Sequence, residues 1–499
     1  MALEESGRAG AGAGGRTAAR VGLFLGPVSL LATLIVPAPG GMSDTAWKVA
    51  GVGLLMAIWW VTEAIPLAVT ALVPIVLFPL ERVSTVEAAA APFANPVIFL
   101  FMGGFMLAQA MQRWNLHRRL AFSIIGVTGT APRRLIGGFM AASGFLSMWV
   151  SNTAVAVMML PIGVSVIQVV LGESDRPGEA ESRMEESGFA VALLLGIAYG
   201  ASIGGIATLI GTPPNALLAG FLSQELGIEI GFGRWLVVGL PLSIIFLPLA
   251  WIALTRVAIF VDPHGPELNP QILRSFRDSL GPRSPAETRV AWVFGITAVA
   301  WVIRPLIERA IPGLSDTGIA IAAMISLFLI PSGRGGRDGV LNWEWAKRIP
   351  WDILLLFGGG LSLAGAIGSS GLAEWIGGSL EAARVVPTLG LMFLVTVLLV
   401  FLTELTSNTA TAAAFIPILA GLAASLGTDP LYLTIPATLA ASCAFMLPVA
   451  TPPNAIVFGS TFIRMGHMVR AGIYLNVIAC ILIPLITFVV IRLFFAAGS

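Results

Sequence analysis

Charge is what this chain has least of. Only 11% of its 499 residues are Asp, Glu, Lys or Arg, against 57% hydrophobic residues, whereas a soluble globular protein carries about 25% charged residues. That shortage excludes a soluble domain and leaves an integral membrane protein. The net charge is +1, which excludes a basic surface for nucleic acid. Lysine is nearly absent, with Lys48 and Lys347 the two among 28 basic residues. Cysteine stops at Cys443 and Cys480, both in apolar segments, where they read as packing residues and say little about redox compartment. The histidines are His117, His264 and His467, all in expected loops or at span ends. Their scarcity weakens the one hydrolase-like signal, "GASIG" at 200–204, because an acyl-transfer serine at Ser202 needs a base within reach.

Alternation is missing too. Barrel strands alternate apolar and polar residues with a period of two, but "VGLLMAIWWV" and "LMFLVTVLLVFL" are continuous. The expected fold is therefore an all-α polytopic membrane protein. Residues 1–20, a Gly/Ala/Arg stretch without an apolar centre, do not read as a cleavable signal peptide.

Apolar segments predict helices near 21–37, 46–62, 64–80, 96–112, 189–210, 235–258, 290–308, 317–331, 352–375, 431–448 and 472–495. Two more stretches, 135–170 and 386–424, each hold two apolar arms around a polar break. Each arm is roughly 25 Å long at 1.5 Å per residue, short of a ~30 Å hydrocarbon core. The expectation is about eleven transmembrane helices plus two re-entrant hairpins, although two short full spans per hairpin would leave the topology unchanged. With the N-terminus in the cytoplasm, 21 of the 28 basic residues fall on the inner side, as the positive-inside rule requires. The C-terminus is then outside, and the two hairpins enter from opposite faces.

The breaks hold one motif twice. "WVSNTAVAVMMLPI" (149–162) and "LTSNTATAAAFIPI" (405–418) both place Ser-Asn-Thr ahead of a small-apolar run. Before each hairpin, "FMGGFMLAQAM" (101–111) answers "LFGGGLSLAGA" (356–366). After each, "LIGTPPNALLAGF" (209–221) answers "PVATPPNAIVFGS" (448–460). The copies divide the chain into an N-terminal extension (1–20), a first half (21–258), a cytoplasmic linker (259–289) and a second half (290–499). The polar insertion at 172–188 accounts for most of the difference in spacing between them. Inverted repeats with discontinuous helices are the sequence sign of a secondary transporter with a site near the midplane. Pro-Pro breaks a helix, here around 211–215 and 450–454, and such a break is tolerated in a membrane inside protein or beside a cavity.

Ser, Asn and Thr groups can donate or accept. Neutral oxygens suit a hard monovalent cation such as sodium, and hydroxyl and amide donors suit carboxylates. Ser147 precedes Ser151, and Thr403 precedes Ser407, by one helical turn, a spacing that puts both oxygens on one helix face. For an isolated pair the plain alternative is a bond to the local backbone or to a neighbouring helix. No Lys, Arg or His lies in either triplet, so an anion held there would be balanced by bound cations and helix dipoles, which couples the two ligands.

"WWVTEAIPLAVTALVPI" (59–75), the paired Ser-Asn-Thr motifs and the paired Thr-Pro-Pro-Asn motifs closely resemble the divalent anion/sodium symporter (DASS) family, from about residue 21 to 495. These carriers take succinate, fumarate, malate, citrate or, in some branches, sulfate. The resemblance implies a first sodium site at Ser147, Ser151, Asn152 and the backbone of Gly211. It implies a second at Thr403, Ser407, Asn408 and the backbone of Ala450. Substrate would contact Ser151, Asn152, Thr153, Thr212 and Pro213 from the first half, and Ser407, Asn408, Thr409, Thr451 and Pro452 from the second. It also implies a homodimer in membrane lipid, a scaffold with an elevator-like transport domain, sodium as coupling ion and no cofactor. An exchanger of the same fold and a sulfate carrier stay open as alternatives, and doubled closed tips argue against an anion channel.

Other signals are set aside. Glu63 and Glu404 are acidic residues in or beside spans, functional candidates by default, and Glu404 could pair with a base or orient the second tip. Trp59, Trp60, Trp343, Trp345 and Trp351 read as interface anchors. The glycines of "SGRGGRDG" (332–339) sit in a basic loop unsuited to a nucleotide.

Overall fold

A computed structural model describes residues 13–171, 187–263, 265, 267–308, 310–333, 338–379, 385–460 and 462–495. Most of the N-terminal extension and of the 172–188 insertion lies outside the described residues. Regular backbone among those described is helical, with an isolated bridge between Pro331 and Gly339 in place of any strand. The first half carries α1 (Ala13–Ile35), α2 (Asp44–Thr62), α3 (Leu67–Leu80), α4 (Pro96–Arg113), α5 (Leu116–Thr128), α6 (Pro132–Ser147), α7 (Asn152–Leu171), α8 (Gly188–Gly205), α9 (Pro213–Leu226) and α10 (Phe232–Ile252). A short α11 (Pro270–Asp278) lies in the linker. The second half carries α12 (Pro285–Ile307), α13 (Asp316–Leu329), α14 (Trp351–Ser369), α15 (Leu372–Ser379), α16 (Thr388–Leu402), α17 (Asn408–Ser425), α18 (Leu431–Ala441), α19 (Pro452–Phe458) and α20 (Met465–Phe494).

Ten of these helices, by length and composition, can cross a membrane. The set differs from the eleven spans expected. It includes α7 and α17, the second arms of the two arm pairs, while α3, α13 and α18 are shorter apolar helices. The expected span 189–210 unwinds after Gly205, and 431–448 after Ala441, well before the prolines that open the next helices at Pro213 and Pro452, and the buried Asn215 and Asn454 take up carbonyls of the unwound stretches. Helix α5 falls outside every expected span; it follows Asn115, whose φ of 57° turns the chain sharply after α4. α15 holds the same place after α14, so the repeat includes these short helices as well.

Local chemistry sets the boundaries. Ser43, Ser284 and Ser315 each accept a hydrogen bond from a backbone N–H in the first turn of α2, α12 and α13. Proline opens α4, α6, α9, α12 and α19, where no N–H is missed. The repeated glycine pair before each arm pair serves close packing. A Cβ on Gly103 would lie 2.8 Å from the Ala320 backbone of α13, and one on Gly359 2.1 Å from the Ala71 carbonyl within α3. Closer still is α6 against α8, where a Cβ on Gly204 would sit 2.0 Å from the Gly144 carbonyl.

Trp343 and Trp351 are exposed, as interface anchors would be. Trp60 is not: it is 1% exposed, and its indole N–H donates to the Leu67 carbonyl at 3.2 Å. Glu63 caps α2 in the left-handed region, φ 47°.

Candidate substrate and cation site

Each arm pair bends at its Ser-Asn-Thr triplet. Helix α6 ends at Ser147 and α7 starts at Asn152; α16 ends at Leu402 and α17 starts at Asn408. These breaks correct the one-face reading of Ser147 with Ser151 and of Thr403 with Ser407, since no continuous helix joins either pair. Each upstream hydroxyl reaches forward to the asparagine instead. Ser147 Oγ donates to Asn152 Oδ1 at 2.5 Å, and Thr403 Oγ1 lies 2.9 Å from Asn408 Oδ1. Thr403 Oγ1 is also 2.9 Å from the Ala441 carbonyl at the end of α18. Ser151 accepts from the Ala154 N–H at 3.4 Å and starts α7.

The broken helices meet these tips. Asn152 packs on the end of α8, where a Cβ on Gly205 would fall 2.5 Å from its Oδ1. A Cβ on Gly211 would fall 2.4 Å from the Gly205 carbonyl. Ser147, Asn152, Gly205 and Gly211 are thereby gathered, and only a glycine fits at either of the two close approaches. Thr208 Oγ1 donates to the Met148 carbonyl at 2.5 Å, tying the first break to the first tip.

The asparagine of each Thr-Pro-Pro-Asn motif donates to carbonyls that the unwound stretch before α9 or α19 leaves without a helical partner. Asn215 Nδ2 donates to the Thr208 carbonyl at 2.8 Å, with those of Gly205 and Ile206 at 3.4 Å. Asn454 Nδ2 donates to Leu447 and Ala444 carbonyls at 3.0 and 3.2 Å. Both side chains are fully buried. Thr212 and Thr451 occupy the N-cap positions of α9 and α19, and Thr451 Oγ1 accepts from the Asn454 N–H at 3.3 Å.

The second break has an extra hold. Glu404, 4% exposed, accepts from the backbone N–H groups of Phe445, Met446 and Leu447 at 2.6, 2.9 and 3.0 Å, and from Asn476 Nδ2 at 2.8 Å. Four donors around two oxygens suit an ionised carboxylate, which only accepts. No basic side chain is among these partners; Glu404 orients unwound backbone. Tyr199 of α8 adds an O–H to the Phe445 carbonyl at 2.9 Å.

Ser151, Asn152, Ser407 and Asn408 are half-buried, Thr153 is exposed and Thr409 is buried. Gly211, Thr212, Ala450 and Thr451 are buried, whereas Pro213 is half-buried and Pro452 exposed at the start of its helix. The two halves interlock, α7 packing on α19 and α9 on α17. Asn215, Asn454, Thr208 and Gly205 were not singled out from the sequence, although the doubled motif itself contains both asparagines. Among the described residues no group of three His, Cys, Asp or Glu could hold a metal ion. The donors on offer are hydroxyl, amide and carbonyl oxygens, the set that unwound transporter helices present to sodium. The N-termini of α7, α9 and α17 add partial positive charge for an anion.

Residues 18–495 match the family described as "Sodium:sulfate symporter transmembrane region". The chain belongs to this family. It is 41% identical over 474 residues to the sodium-dependent dicarboxylate transporter SdcS of Staphylococcus saprophyticus, covering 94% of this chain and 90% of that one. It is 42% identical over 483 residues to the transporter of the same name from Staphylococcus aureus strain USA300, covering 94% and 91%. Among solved structures, the YdaH transporter of Alcanivorax borkumensis aligns with a TM-score of 0.51 at 14% identity, over 82% of this chain and 87% of that one. That last likeness speaks to the fold. The chain is thus a multi-pass membrane protein of a transporter family and not an enzyme.

Proposed function

We propose that this protein couples inward sodium movement to uptake of C4-dicarboxylates, or of related di- and tricarboxylates, across a bacterial inner membrane. The observation that carries this is the pair of polar tips, Ser147–Asn152 and Thr403–Asn408, each bridged by a hydrogen bond beside a broken helix. The names of the two SdcS relatives support both sodium and a dicarboxylate. In this reading Ser147, Ser151, Asn152 and the Gly211 carbonyl hold one sodium. Thr403, Ser407, Asn408 and the Ala450 carbonyl hold the other. The carboxylates of the substrate meet Thr153 and Thr409 with the asparagines, and Thr212, Pro213, Thr451 and Pro452 close the site from the broken helices. Sodium lodged beside each tip supplies the positive charge that the tips lack, so anion binding follows cation binding.

The arm pairs 135–170 and 386–424 act as re-entrant hairpins entering from opposite faces. Helices α6–α10 and α16–α20 move as an elevator-like unit against a scaffold of α1–α5 and α12–α15, within a homodimer held in lipid. The decisive experiment is uptake of labelled succinate into proteoliposomes with and without an inward sodium gradient, the interior empty or loaded with succinate. Sodium-dependent uptake into empty vesicles supports the symporter. Uptake confined to loaded vesicles and indifferent to sodium makes the protein an exchanger. Competition by unlabelled sulfate tests the sulfate carrier that the family's description brings up. Asn152→Ala and Asn408→Ala should each abolish uptake in protein that still elutes as one folded species, and near-normal transport by both would sink the site assignment.

A further inference from the structure

The two tips are built alike but held differently. Leu405 precedes the second triplet and is 68% exposed. Its counterpart Trp149 is enclosed among rings. Its indole stacks on Phe232 at the start of α10, with centroids 5.9 Å apart, and meets Phe294 of α12 edge-on at 4.8 Å. Phe232 in turn stacks on Trp301 of α12 at 4.7 Å. The buried Trp149 indole N–H has no hydrogen-bond partner, so packing against these rings and the surrounding core holds it.

The far end of this stack is fixed by charge. Asp316, at the start of α13, accepts from the Phe232 N–H at 2.7 Å and pairs with Arg304 Nε at 2.8 Å. Its own carbonyl accepts from the Trp301 indole N–H at 3.0 Å. The Asp316 carboxylate therefore ties the backbone at Phe232 of α10 to Arg304 of α12, while its main-chain carbonyl holds the Trp301 ring. A half-exposed tip of short polar residues has little packing of its own, and aromatic pairs in this geometry add attraction beyond simple burial.

We propose that Trp149 is a positioning residue for the first cation site, and that the Asp316 carboxylate acts on the same site at a distance by tying Phe232 of α10 to Arg304 of α12, the two helices whose rings enclose Trp149. This rests on the sodium-coupled reading above. The turn at 148–151 carries Ser151 and leads into Asn152, so the lodged indole keeps Asn152 Oδ1 facing Ser147 without touching either ligand. The second tip has no such anchor.

The test is a sodium activation curve for succinate uptake in proteoliposomes, with sodium-dependent shift of thermal unfolding in detergent as a second readout. Trp149→Leu, which copies the second tip, should raise the sodium concentration for half-activation about tenfold, the scale of one lost charge-assisted contact. Trp149→Phe keeps the stack and dispenses with the unpartnered N–H, and should restore the curve. Asp316→Asn, isosteric and remote from the tip, should move half-activation the same way as Trp149→Leu, whereas a merely structural role would lower maximal uptake and leave half-activation in place. If Trp149→Leu and Asp316→Asn both overlay the parent curve, the positioning role is overturned and the symport reading stands. If the parent itself shows no sodium dependence in either readout, the symport reading falls first, and this inference with it.

Discussion

Position 404 and its counterpart 148 show how far two copies of one motif can diverge. In the first half Met148 offers a backbone carbonyl to Thr208. In the second, Glu404 offers a carboxylate to three consecutive backbone N–H groups and to Asn476. Glu404→Gln would set an NH2 group against N–H donors and strip the charge from the rest. The expected cost is about 1–3 kcal/mol, read as a lower midpoint of thermal unfolding in detergent; an unchanged midpoint would mean that the cage does not carry the second break. The sequence made Asn152 and Asn408 visible because a polar triplet stands out in an apolar run. It could not make the Glu404 cage visible, since backbone amides have no side-chain signature and Asn476 is 72 residues away.

Among elements, the tightest constraint is the face shared by α6 and α8. Gly204→Ala would push a methyl group to 2.0 Å from the Gly144 carbonyl and 2.4 Å from its Cα, backbone atoms that no rotamer change can move. The expected loss is about 1–3 kcal/mol or more, with the yield of folded protein falling accordingly. A Cβ on Gly126 in α5 would meet nothing within 4 Å, so Gly126→Ala should gain roughly 0.5–1 kcal/mol from helix propensity. Measured unfolding midpoints of the two variants should move in opposite directions. Apolar runs announced the long helices, and Pro-Pro announced where α9 and α19 resume. The place where α8 stops was hidden, because Asn215 reaches back to gather carbonyls from Gly205 onward. Helix α5 was hidden for another reason: it is a 13-residue helix whose polar or charged side chains include His117, Arg118, Arg119 and Ser123, and a hydropathy scan passes over it. Buried His117 there donates from one ring nitrogen to the Met111 carbonyl at 3.0 Å, and burial holds its pKa below the usual histidine value.

At the scale of the whole molecule, the distribution of arginine predicts which end faces which compartment. If the chain crosses an odd number of times from a cytoplasmic N-terminus, as the expected eleven spans and the arginine distribution propose, an alkaline phosphatase fused to the C-terminus should be active and a green fluorescent protein fused there should stay dark. Fluorescent C-terminal fusions would reverse the assignment and require an even number of crossings. The interlocking of the halves also makes each depend on the other. Since α7 rests on α19 and α9 rests on α17, each half completes a surface that the other leaves bare. A half expressed alone would have to borrow that surface from a second copy of itself. Carried on one chain, the two copies can differ position by position, as Met148 and Glu404 do.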